Sequence, residues 1–106
     1  MKDLYSFEKF SIALSTLATG PRGLQERIAD AFAGGLNLLA DHAGLPADVE
    51  QKLRGYSDAW GAIKGAEAEG RINVWAERLS DDEAMAIAQW IVDANYVVRR
   101  EYYGGD

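Results

Sequence analysis

Val49, Leu53, Tyr56, Trp60 and Ile63 follow one another at spacings of four, three, four and three. A helix of 3.6 residues per turn brings such positions onto one side, so this stretch is expected to bury itself as an amphipathic helix. The same period recurs along the chain. Leu4, Phe7, Phe10, Leu14 and Leu17 form one stripe, and Leu24, Ile28, Ala31, Phe32, Leu36 and Leu39 form another. Ile72, Trp75, Ala76 and Leu79 share a face over two turns. No segment alternates apolar and polar residues with period two for long enough to predict a strand.

Glycine and proline punctuate these stripes. The prolines are Pro21 and Pro46, each placed to open a helix. In "ATGPRG", Gly20 is expected to cap the first helix and Pro21 to begin the next. Gly34 and Gly35 cost a helix about 1 kcal/mol each. The apolar period crosses them in phase, which predicts one helix continuing to Leu39. "KGAEAEG" reads as the one substantial loop, and "SDDE" opens the last helix. The expected fold is all-α: a compact bundle of four long helices and one short helix, forming a single domain over residues 1–106. At this length roughly two thirds of the unfolded surface can be buried. The predicted core is Phe7, Leu14, Ile28, Phe32, Leu53, Trp60, Leu79, Ile87 and Ile91.

The chain has no cysteine, so a disulfide framework, a thiolate metal site and a thiol nucleophile are all excluded. No run approaches the ~18 apolar residues of a membrane span. "KFSIALSTLA" differs from a signal peptide because Asp3 and Glu8 stand where a basic leader would be. A soluble, cytoplasmic protein is expected. The net charge is -6, and from Ser80 onward Asp81, Asp82, Glu83, Asp93, Glu101 and Asp106 face only Arg99 and Arg100. An acidic balance disfavours phosphate backbones and anionic membranes.

Candidate chemistry is sparse. His42 is the single histidine, and Asp41 beside it points about 100° away on a helix, a poor arrangement for two ligands. Ser6, Ser11, Ser15, Ser57 and Ser80 lack a nucleophile elbow and a second histidine for a relay. Asp58 with Glu67, and Glu26 with Asp30, read as solvated acidic faces. "GPRG" lacks the full phosphate-binding pattern, and "GAIKG" reads as a fraying helix end. The expectation is a protein without catalytic, cofactor-binding or metal-binding residues.

"LADHAGLPADVEQKLRG", residues 39–55, resembles the turn region of repressor-type helix-turn-helix domains, with Ala40, Ala43, Gly44, Leu45, Val49, Leu53 and Gly55 at the small and apolar positions. The resemblance implies a DNA-binding transcriptional regulator whose second helix enters the major groove. Here that helix would present Pro46, Ala47, Asp48, Glu50 and Gln51, with Lys52 and Arg54 opposing two carboxylates. Over most of its length the chain also resembles small uncharacterised bacterial all-helical proteins of unknown function. That resemblance rests on "SFEKF", "LATG", "LQERIADAF" and "LSDDEAMAIAQWIV". It implies a fold and no activity.

The last helix carries the most information. Ser80 and Glu83 have the spacing of a capping box, while Asp81 and Asp82 sit in the first turn, where the helix dipole favours negative charge. At 100° per residue, Ala84, Ile87, Ile91, Ala94, Val98 and Tyr102 make one stripe, with Trp90 and Val97 at its edge. Met85, Val92, Tyr96 and Tyr103 fall 140–180° from Ile87. Such a second stripe is either covered by the first helix or the short helix, or it forms an interface with Arg99 and Arg100 along its rim. The functional expectation is therefore a protein-protein interaction or self-association module, with a protein partner or a homodimer contact at Met85, Val92, Tyr96, Arg99, Arg100 and Tyr103.

Overall fold

A computed structural model describes residues 3–20, 22–40, 42, 44–65 and 67–104. The chain is all-helical, with no strand among the described residues. Five α-helices follow in order: α1 (Leu4–Thr19), α2 (Leu24–Ala33), α3 (Ala47–Gly61), α4 (Ala68–Glu77) and α5 (Asp81–Gly104). A 3-10 turn, Leu36–Leu39, lies between α2 and α3. The 24 residues of α5 span about 36 Å, most of the molecule's 43 Å length. The helix α2 is central, packing on α1, α4 and α5, while α1 lies along α5 and α3 packs on α4.

Phe32 is the hub of the core. Its ring centroid lies 5.6 Å from Tyr56, 5.4 Å from Trp60, 5.4 Å from Trp75 and 6.4 Å from Trp90. Three of these contacts are edge-on, the geometry that sets a positive ring edge against a negative face. One fully buried phenyl ring thus joins side chains from α2, α3, α4 and α5. Aliphatic residues complete the core around it, including Ile28, Leu53, Ile72 and Ile91.

Of the predicted core, Ile28, Phe32, Leu53, Trp60, Ile87 and Ile91 are buried, and Phe7 and Leu79 are half-buried against it. Leu14 is half-buried at the edge of a surface groove. The face of α1 is turned from the expected one: its buried line is Ser6, Phe10, Ala13 and Leu17, and Leu4 is exposed. Ser6 can be buried because its hydroxyl donates to the Asp3 carboxylate. Ala13 is small enough to let the neighbouring helices approach.

The expected single helix through Leu39 is interrupted. The backbone N–H of Gly34 donates to Asp30 at 2.8 Å and ends α2. At Gly35 the aliphatic stem of Lys9 crosses so closely that a Cβ there would lie 3.0 Å from its Cδ. The chain resumes in the 3-10 turn, where Leu36 and Leu39 are again buried. Their burial is why the apolar period runs through the break.

Gly20 does cap α1, in an extended conformation with its N–H on Thr16 at 2.9 Å. A Cβ there would meet the Arg27 side chain, whose Nη1 donates to the Leu17 carbonyl at 2.7 Å. Glycine is needed at this position for that crossing. Two other boundaries move. Pro21 lies outside the described residues, and α2 begins at Leu24, after Gly23. The predicted loop "KGAEAEG" is shorter than expected, since α4 already starts at Ala68, with the N–H of Arg71 donating to the Glu67 carbonyl at 2.9 Å.

Candidate interaction surface

The start of α5 is fixed by local hydrogen bonds. The Ser80 N–H donates to Glu83 Oε1 at 2.8 Å, and the Glu83 N–H donates to Ser80 Oγ at 3.1 Å, which is a reciprocal capping box. Asp81 accepts from Gln25 Nε2 at 2.9 Å, and the same amide donates to the Leu79 carbonyl at 3.2 Å. That amide ties the first turn of α2 to the first turn of α5. Asp82 is exposed.

From this start α5 presents two apolar faces. The inner one, Ala84, Ile87, Ile91, Ala94 and Val98, is buried together with Asn95. On the outer one Met85 is 62% exposed, Val92 43%, Tyr96 64% and Tyr103 63%. Among the described residues no helix covers this line, and α1 lies to one side of it. The gap between them is an open groove lined by Leu14, Leu17 and Ala18 of α1, Leu24 of α2, and Met85, Ala88, Gln89 and Val92 of α5. The apolar surface therefore extends beyond the stripe legible in the sequence. Leu14 and Ala18 were missed because their membership depends on how α1 docks.

Arg99 and Arg100 are exposed at the far end of the stripe. The Arg99 guanidinium lies 5.9 Å from the centre of the Tyr103 ring, within cation-π range. Tyr103 in turn meets Phe7 and Tyr102 edge-on, at 5.5 and 5.1 Å.

The remaining candidates are occupied by structure. His42 Nε2 lies 3.1 and 3.2 Å from the two Asp3 oxygens, and its ring is 5.2 Å from that of Tyr5. Asp41 lies outside the described residues. Burial acts to raise the Asp3 pKa, but hydrogen bonds from Ser6 together with the nearby His42 outweigh it and hold the carboxyl below its ordinary range. Glu26 and Asp30 both face Arg22, which commits the cation of "GPRG" within the chain. Among the described residues no group of three or more metal-ligating side chains converges. In residues 39–55 the 3-10 turn leads through Gly44, at φ 107°, into α3, where Arg54 pairs with Glu50 at 3.3 Å; Ala43 lies outside the described residues.

Compared with protein-family models, with curated proteins and with solved structures, the chain finds no match in any of the three. No described helix is long and apolar enough to cross a membrane.

Proposed function

We propose that the protein is a non-enzymatic protein-protein interaction or self-association module that docks through the outer face of α5. The observation carrying this reading is the exposure of Met85, Val92, Tyr96 and Tyr103 in one line, continuous with the groove beside α1. Aromatic residues, methionine and arginine are enriched at interface centres. Two tyrosines, a methionine and two arginines share this face. The small and apolar groups of the groove offer depth, which a flat patch lacks.

The test is a charge placed on the stripe. Val92→Glu and Tyr96→Lys should abolish association while leaving a cooperative melt close to that of the wild type. Unfolding of Tyr96→Lys would show that the side chain serves the fold and would sink the reading. A second reading, a DNA-binding regulator using residues 39–55, has in its favour the glycine turn at Gly44 and the exposed Lys52 on α3. It requires affinity for double-stranded DNA that falls steeply as salt rises. Binding to DNA that survives Tyr96→Lys would favour it over the first.

A further inference from the structure

The outer face of α5 carries charge in a pattern that apolar docking alone does not require. Eighteen residues complete five turns of an α-helix, so residues eighteen apart share one direction. Asp81 and Arg99 are such a pair, on one flank of the stripe; Asp82 and Arg100 are another, on the opposite flank. All four are exposed. Asp82, Arg99 and Arg100 make no ion pair within the chain among the described residues. The helix dipole accounts for acids at the start and bases at the end, but it acts alike at every angle around the axis. It gives no reason for both pairs to border the exposed apolar line.

Resting on the docking reading above, we infer that the occupant of this face is a second copy of the chain, with α5 antiparallel to α5 about a two-fold axis near Trp90 and Ile91. Rotation about that axis sets Asp81 of each copy opposite Arg99 of the other, and Asp82 opposite Arg100. Met85 falls opposite Tyr96, and Val92 beside Gln89. The face is thus self-complementary, as a two-fold contact must be. A parallel pair would place acid against acid and base against base, which its charges oppose. A helix face about 36 Å long and 10–12 Å wide offers roughly 400 Å² per copy before the groove beside α1 is counted. That is below the ~800 Å² per partner of a standard stable complex. The dimer is therefore reversible, and it weakens with dilution and with salt.

The absence of cysteine makes the geometry directly measurable with one thiol at a time. About the proposed axis the two copies of residue 92 lie about 5 Å apart along the helix, and the two copies of residue 103 about 37 Å apart. A short bis-maleimide should link Val92→Cys into a covalent dimer and leave Tyr103→Cys monomeric. Reversing Arg99 and Arg100 to Asp should weaken dimerisation at low salt on the order of tenfold or more. Mixing that variant with an Asp81→Arg, Asp82→Arg chain should restore a heterodimer. Linking of Tyr103→Cys as efficient as that of Val92→Cys would overturn the antiparallel arrangement. A wild-type chain that sediments as a monomer up to millimolar concentration would overturn the dimer; it would leave the docking reading standing where Tyr96→Lys keeps its melting temperature. Unfolding of Tyr96→Lys overturns both.

Discussion

The cluster around Phe32 and the outer face of α5 are built from similar side chains and meet opposite fates. Tyr56, Trp60, Trp75 and Trp90 surround a fully buried ring. Met85, Val92, Tyr96 and Tyr103 stand in solvent. Composition does not separate the two regions, whereas the number of helices converging on each does. Three other helices bring side chains to Phe32 of α2, while the outer line of α5 is bordered by α1 along one side. An apolar stripe on a helix is thus covered or left bare according to how its neighbours dock, and the fold covers it in one case and leaves it in solvent in the other.

The contrast breaks most sharply at Phe32 itself. Phe32→Ala should lower stability by about 3–5 kcal/mol in a denaturant melt, since no neighbouring helix can move alone into the void. Ile87→Ala and Ile91→Ala, on the inner face of α5, should cost about 2–5 kcal/mol each. If either were neutral, the two faces of α5 would have been assigned the wrong way round. Ser80→Ala, which removes half of the capping box at the start of α5, should cost about 1 kcal/mol and leave association intact.

Acid provides a gentler probe. The folded-state pKa of Asp3 lies below its ordinary value, so its contribution is present at neutral pH and is lost as pH falls through that lowered value, below about pH 4. Asp3→Asn should remove this part of the acid dependence, and an unchanged acid melt would show that the link to Ser6 and His42 contributes nothing measurable. The smallest effect belongs to the outer face. Val92→Glu and Tyr96→Lys should stay within about 0.5 kcal/mol of the wild type, as surface substitutions do. A loss comparable to that of Ile87→Ala would erase the distinction between the faces.

What the sequence made legible was local. The capping box at Ser80 and Glu83 involves residues three apart and is present as read; the stripe from Val49 to Ile63 needs only helical geometry and is present as far as Trp60, α3 ending at Gly61 before Ile63. The two faces of α5 were likewise separable by angle. Whether the outer one was covered depended on how α1 docks. In the docked helix Ser6 faces inward with its hydroxyl on Asp3, and Lys9 crosses Gly35, features that no apolar period records. The break after Gly34 was hidden for the opposite reason, since Leu36 and Leu39 return to the core and preserve the rhythm. The pairing of His42 with Asp3 joins residues 39 apart in sequence and left no local signal.

The position of α3 has a consequence of its own. Its extensive packing among the described residues is with α4, while α5 is held by both α1 and α2. Separating α3 from the rest gives up the Tyr56 and Trp60 contacts with Phe32 but leaves the α1–α2–α5 layer intact. Such a segment opens at lower free energy than the whole molecule unfolds. Amide protons in the middle of α3 should accordingly exchange with deuterium well before those around Ile91, and a protease acting on the native protein should make its first cut within α3, leaving two fragments, one with α1 and α2 and one with α4 and α5, held together by the packing of α1 and α2 on α5.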